Sequence, residues 1–333
     1  MFAHAHAPCR IGIAGGGTDL PAWTSKREGL CLSLAIDLRV HAVGISREDR
    51  QVVASYRQRD VAACATEIAN GLIRESALLH GFQDSFEVHT LSEVSSRGSG
   101  LGVSSAFSVT LAALFSRMAS RQVIAFEPID RALMAARDGW TVEIDRLRRP
   151  IGRQDHMAAA CGGLRLYVFV GDDARVERTF SAEDAEWVAK HLALVELPEG
   201  HDSRSILSGV KTVEQLQAAR DAVPMAVVAI ERRDAALLGD ALSRGQASKS
   251  AIPGAVTEGV GKVIDLVRAI PGVLGCKVAG AGGGGHLVVA MDDTICVREV
   301  DRDVLGAIRD VTGLACRKVR PAARGVTCEG WSE

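Results

Sequence analysis

The chain has 333 residues, 47% of them hydrophobic, and a net charge of −2, enough for a sizeable core in one large or two smaller domains. The near-neutral charge excludes the basic face of a nucleic-acid binder, and an aromatic content of 4% excludes a platform for stacking bases. No apolar run reaches the ~18 residues of a membrane span, and the opening MFAHAHAPCR lacks the apolar stretch of a secretion signal.

In chain order, the pattern predicts strands over 10–15, 40–46, 51–56 and 86–91, each bounded by glycine or charged residues. A helix is predicted over 104–118, opened by two serines, and another over 128–147 with Pro128 near its start. Strands follow at 163–171 and 191–197, then helices at 205–222, 224–244 and 255–270. Strand pattern returns in VLGCKVAG and HLVVAM, followed by a helix over 300–311 and a basic, strand-like end. A strand-rich first half and a helix-rich second half predict an α+β protein of two fused lobes. The eight cysteines form no CxxC pair, so they are expected as free, buried thiols of a cytoplasmic protein. The alternating His4 and His6 are expected in a loosely ordered N-terminus rather than in a metal site.

Three glycine-rich stretches carry the functional signal. In APCRIGIAGGGTDLPAW (7–23) a strand runs into Gly15, Gly16 and Gly17, then Thr18 and Asp19. Glycines permit a sharp turn and close ligand approach. Asp19 is placed either to accept hydrogen bonds from a hydroxyl-rich ligand or to cap the turn. In SSRGSGLGVSSAFSVTLAALF (95–115) a glycine-serine loop enters a helix directly. Exposed amides at the positive end of a helix suit phosphate, and Ser104 or Ser105 can cap that helix or reach a phosphate-bound Mg²⁺. The loop is not GxxxxGK[ST], so it is no Walker P-loop. In KVAGAGGGGHLVVAM (277–291) the letters GxGxxG occur, but a strand follows instead of the helix that a dinucleotide site requires. A hairpin whose amides line a ligand site fits better. Between the second and third stretches, Glu143 lies on a predicted helix and Asp155 lies beyond a Pro-Ile-Gly break. Alone, Glu143 reads as a solvated helix-face charge. Asp155, set between Arg153 and AAACGG, is a charge that needs a partner or a use.

APCRIGIAGGGTDLP, GSGLGVSSA, GRQDHMAAACGG and KVAGAGGGGH, in this order, resemble the GHMP kinases, most closely the branch of heptose 7-phosphate kinases and fucokinase-like proteins. The resemblance covers nearly the whole chain. It implies a two-lobed α+β fold with an ATP-binding N-terminal domain over 1–180 and a C-terminal domain over 181–333. The implied activity is ATP-dependent phosphotransfer to a sugar phosphate. A free-sugar kinase and a catalytically silent sensor on the same scaffold stand as alternatives. It implies Asp155 and Arg10 as catalytic residues, and Ser104 and Glu143 as Mg²⁺ ligands. Arg97, Gly98, Ser99, Gly100, Leu101, Gly102, Val103, Ser104 and Ser105 would bind ATP. Gly16, Gly17, Thr18, Asp19, Gly282, Gly283 and Gly284 would bind the sugar. The expected partner is a small-molecule sugar or sugar phosphate, with no nucleic acid or membrane, in a monomer or homodimer. Ser96 and Arg97 replace the prolines usual before the second stretch, Val103 stands where a serine is common, and His156 stands where this branch often has glutamine. Arg97, Arg146, Arg148, Arg149, Arg153 and Arg204 are candidate partners for a substrate phosphate, although RLRRP, with Arg148 and Arg149, reads first as a solvated helix end.

Overall fold

The computed structural model describes residues 1–94, 98–119, 128–198, 206, 214–292 and 304–331. Its first sheet is built on two long antiparallel strands, β1 (Phe2–Ala14) and β2 (Gly29–Ser46). Around them lie β3 (Val52–Ser55), β4 (Arg59–Ala62), β5 (Phe86–Ser92), β6 (Leu164–Val170) and β7 (Asp173–Thr179). The last described strand, β12 (Thr327–Trp331), returns to pair with the far edge of β1. A second sheet, ordered β11-β8-β10-β9, joins β8 (Leu192–Glu196), β9 (Val273–Val278), β10 (His286–Met291) and β11 (Cys316–Lys318).

The N-terminus is therefore not loose. AHAHA alternates with period two, so Ala3, Ala5 and Ala7 turn into the core while His4 and His6 lie on the opposite face. There they meet His41 of β2, with His4 and His41 stacked at 5.6 Å between ring centroids. Among the described residues no group of histidines, cysteines and carboxylates is arranged to hold a metal ion. The seven described cysteines are free thiols; Cys9, Cys31, Cys161 and Cys276 are buried, whereas Cys64, Cys316 and Cys328 are partly exposed.

Helices α1 (Pro21–Thr24), α2 (Gly71–Leu79), α3 (Val103–Ala119), α4 (Pro128–Trp140) and α5 (Gln154–Cys161) belong to the first half, and α6 (Ala182–Lys190) follows. α3 starts where Gly102 turns the chain with φ of 74°, and its apolar face packs Leu111, Leu114 and Phe115 on the sheet. The single helix expected over 128–147 is in fact α4 followed by a π-helical turn, Thr141–Arg146.

In the second half, the expected break at Pro224 does not occur. α7 (Glu214–Arg232) runs through it, because Ala219, Ala222, Val223, Ala226, Ala229 and Ile230 bury one continuous face. The chain breaks instead at Arg233, with φ of 54°, and Asp234 caps α8 (Ala235–Ser250) by accepting from the Leu237 amide at 2.9 Å. α9 (Glu258–Arg268), capped by Thr257, and α10 (Val304–Thr312) complete the described helices. None is long and apolar enough to cross a membrane.

α8 crosses β9 at two glycines. A methyl group on Gly275 would lie 2.1 Å from the Gly239 carbonyl oxygen, so neither position has room for a side chain. This contact fixes α8 against the sheet edge from which the third glycine loop springs. Gly275→Ala is expected to lower stability by about 1–3 kcal/mol, the usual cost of overpacking, read as a lower midpoint in chemical denaturation; an unchanged midpoint would show that the crossing yields without cost.

Candidate active site

The three glycine-rich stretches converge. The first loop leaves β1 and docks on α7, where the Gly15 amide donates to the Ala219 carbonyl at 3.1 Å. The second loop pairs with β1, the Arg10 amide donating to the Leu101 carbonyl at 2.9 Å. The third is the hairpin between antiparallel β9 and β10, closed by the Ala279 amide donating to the His286 carbonyl at 2.8 Å. No helix follows it, which removes the dinucleotide reading of GxGxxG. Second and third loops cross at glycines: a methyl on Gly280 would lie 2.7 Å from the Gly100 Cα. His286 Nδ1 donates to the Ser99 carbonyl at 2.8 Å and ties the crossing together.

The loops surround a cavity of about 650 Å³. In its wall the Arg10 guanidinium makes a two-point ion pair with Asp155: Nε donates to Oδ1 at 2.7 Å and Nη2 to Oδ2 at 2.6 Å. Its Nη1 donates to the Gly100 carbonyl at 2.5 Å. Arg10 is buried, and the Asp155 side chain keeps 24% of its surface exposed. One residue thus joins β1, the second loop and the first turn of α5, which lies 145 positions away in the chain.

Glu143 is fully buried on the π turn, not solvated. It accepts from Ser104 Oγ at 2.6 Å, from Ser108 Oγ at 3.2 Å and from His156 Nε2 at 2.9 Å, and it is ion-paired with Arg149. Burial disfavours its charge. The hydrogen bond and charge of His156, the charge of Arg149 and the Ser104 hydroxyl outweigh that and hold the carboxyl down at about 2. Arg149 also donates to Ser104 Oγ at 2.7 Å, so it folds onto the site, not away as a solvated helix end. His156 faces Glu143 rather than the cavity, so its substitution for glutamine bears on this carboxylate.

Asp19 is buried and accepts from the Gln154 amide at 2.9 Å and from Gln154 Nε2 at 2.8 Å, capping α5 from a distant segment. Burial pushes its carboxyl up from the usual range. A methyl on Gly152 would lie 1.9 Å from Asp19 Oδ2, so glycine is required there.

Of the residues expected from the sequence, Arg10, Gly16, Gly17, Asp19, Gly98, Ser99, Gly100, Gly102, Val103, Ser104, Ser105, Glu143, Asp155 and Gly282 all line the cavity. Thr18, Leu101, Gly283 and Gly284 do not. Thr18 is buried, its hydroxyl donating to the Gly15 carbonyl at 2.8 Å. Arg97 and Arg204 lie outside the described residues. Arg146 pairs with Glu75, and Arg153 pairs with Asp172 at 2.7 Å; neither reaches the cavity. Gln154 and Lys249 line it without having been anticipated. A lone lysine within QASKS carries no motif, whereas Gln154, beside Asp155, was open to notice as a neighbour of the expected base.

Residues 226–295 match the family described as GHMP kinases C terminal. The chain is 26% identical over 313 residues to a D-glycero-alpha-D-manno-heptose 7-phosphate kinase of Campylobacter jejuni, covering 86% of this chain and 88% of the relative. A D-glycero-D-manno-heptose 1-phosphate kinase from Bacteroides thetaiotaomicron superposes with a TM-score of 0.78 at 17% identity, over 99% of this chain and 100% of that one. The galactokinase of Lactococcus lactis, solved with galactose, superposes with a TM-score of 0.69 at 15% identity, over 98% and 95%.

The buried carboxylate makes a prediction that needs no substrate. A carboxyl held near 2 when folded and near 4.5 when free stabilises the fold above pH 4.5 and loses that contribution as the pH falls toward 2. Glu143→Gln should lack this portion of the acid loss, on the order of 2–3 kcal/mol. Parallel denaturation curves of both proteins across that pH range would count against an ionised Glu143.

Proposed function

We propose that this chain, which carries the GHMP kinase C-terminal domain and the GHMP kinase fold along its whole length, transfers the γ-phosphoryl group of ATP to a hydroxyl of a sugar phosphate. The observation that carries the reading is the two-point Arg10–Asp155 pair beside the 98–105 loop. The nature of the relatives favours a heptose 7-phosphate as acceptor.

The amides of Gly98 to Ser105 and the start of α3 face the triphosphate, where helix-end amides favour negative charge. Beside them lies a second cavity of about 480 Å³ that shares Val103 and Ser104 and is lined by Tyr56, Asn70, Ile73 and Phe107. Its apolar walls and scattered polar groups suit the nucleoside half of ATP. Asp155 orients the acceptor hydroxyl and takes its proton as that oxygen bonds to the γ-phosphorus. The bond from phosphorus to the bridging β–γ oxygen breaks, and ADP leaves. Arg10 stays charged throughout; it aims Asp155 and offsets charge on the transferred group.

Ser104 and Glu143 are the pair proposed for Mg²⁺. Both offer hard oxygen donors, 2.6 Å apart, and one carboxylate beside nucleotide phosphates is a usual magnesium setting. The cation would neutralise charge on the β- and γ-phosphates. Asp19 and Gln154 brace the start of α5 and with it the base.

Asp155→Asn is expected to lower turnover at least about a hundredfold, the low end of general-base effects, in a Mg-ATP-dependent ADP-release assay with heptose 7-phosphate. Near-normal turnover would remove Asp155 from this role, and absence of ADP release by the wild type would favour a silent sensor.

A further inference from the structure

Among the described residues, four cationic side chains line the main cavity: Arg10, Arg149, Lys249 and Lys277. Three are committed. Arg10 holds Asp155 and the Gly100 carbonyl. Arg149 holds Glu143 and Ser104. Lys277, at the end of β9, sends its ammonium to the Gly12 and Ile13 carbonyls of β1 and so straps the two sheets together.

Lys249 differs. It sits in the last turn of α8 and donates to the Gly280 carbonyl of the third loop. An ammonium carries three donors, and one carbonyl is a neutral partner. α8 packs on β1, β9, β10 and α7, and Lys249 lines the cavity beside the third loop. Its neighbours in the cavity wall are Gly245, Ser248 and Ile252 of its own segment and Ala281 and Gly282 of the third loop. A charge in such a wall is costly unless an anion answers it. The nucleotide phosphates already have the loop amides, Arg10 and the Ser104–Glu143 pair. An uncharged sugar leaves Lys249 unanswered; an acceptor that is itself phosphorylated does not.

We propose that Lys249 anchors the acceptor's own phosphate and is the residue that separates a sugar phosphate from the corresponding free sugar. This assignment rests on the kinase reading. Burial and the charge of Arg10 on β1 push the Lys249 ammonium down to about 8, with Asp155 on α5 pulling the other way; Lys277 on β9 faces it as a further cation. The charged form, and with it the anchor, therefore fades as the pH rises through 8.

The test uses the full-length protein, its Lys249→Met and Lys249→Arg variants, Mg-ATP, and two acceptors: D-glycero-D-manno-heptose 7-phosphate and the same heptose without phosphate. Loss of one partner of a desolvated charge pair predicts a KM for the phosphorylated acceptor raised about thirtyfold or more in Lys249→Met. The loss should appear in KM and not in kcat, the preference for the phosphorylated acceptor should collapse, and Lys249→Arg should recover most of it. In the wild type that KM should also climb above pH 8, and in Lys249→Arg it should not. Mg-ADP affinity by calorimetry and the thermal midpoint report whether the fold and the nucleotide half survive substitution. An unchanged preference in Lys249→Met, or a fall in kcat at constant KM, overturns the assignment alone. Wild-type protein that neither binds Mg-ATP nor releases ADP with either acceptor overturns the kinase reading and the assignment with it.

Discussion

An arginine and an aspartate that share two hydrogen bonds in a largely dry wall set the terms for everything around them. Withdrawing either charge from water is expensive, and the pair repays that only if its geometry is held. β1 supplies the arginine and α5 the aspartate. Each is fixed independently: β1 by its pairing with β2 and β12, α5 by the Asp19 cap and by its buried run of small residues. The long strand β1 is thus also the mounting for this ion pair.

The same logic explains the density of glycine. Close approach of the second and third loops at the cavity leaves no space for side chains at Gly100 and Gly280. The chain exposes peptide groups there instead, which suits a ligand rich in phosphate oxygen. Charge is then introduced only at chosen points. Arg10 with Asp155, and Arg149 with Glu143, are opposite charges that cancel within each pair. Among the described residues Lys249 and Lys277 make no ion pair and donate instead to backbone carbonyls.

Much of the fold was legible in the sequence. Glycine before the α3 run and β-branched residues in HLVVAM gave elements close to those observed, because each reports a local period or a backbone requirement. Pro224 misled, since the buried face on either side of it outweighs the one hydrogen bond that proline removes. The N-terminal histidines misled because a strand at a chain end is ordered only by its partners, β2 and β12, which are distant in sequence. Glu143 was visible as a residue but not as a buried one. Its burial comes from His156, Ser104 and Arg149, which meet it from three different segments.

What the sequence by itself determined is the set of elements from which a phosphate site can be built: glycine loops beside a helix start, with acidic residues at set spacing, because backbone amides there can act as donors. Which side chains face the cavity was decided by the tertiary structure alone. Thr18 turns inward to the Gly15 and Leu30 carbonyls and Lys249 turns toward the third loop, and the docking around them rests on contacts between separate segments, Gly15 with Ala219 and Gly239 with Leu274, that no local pattern encodes.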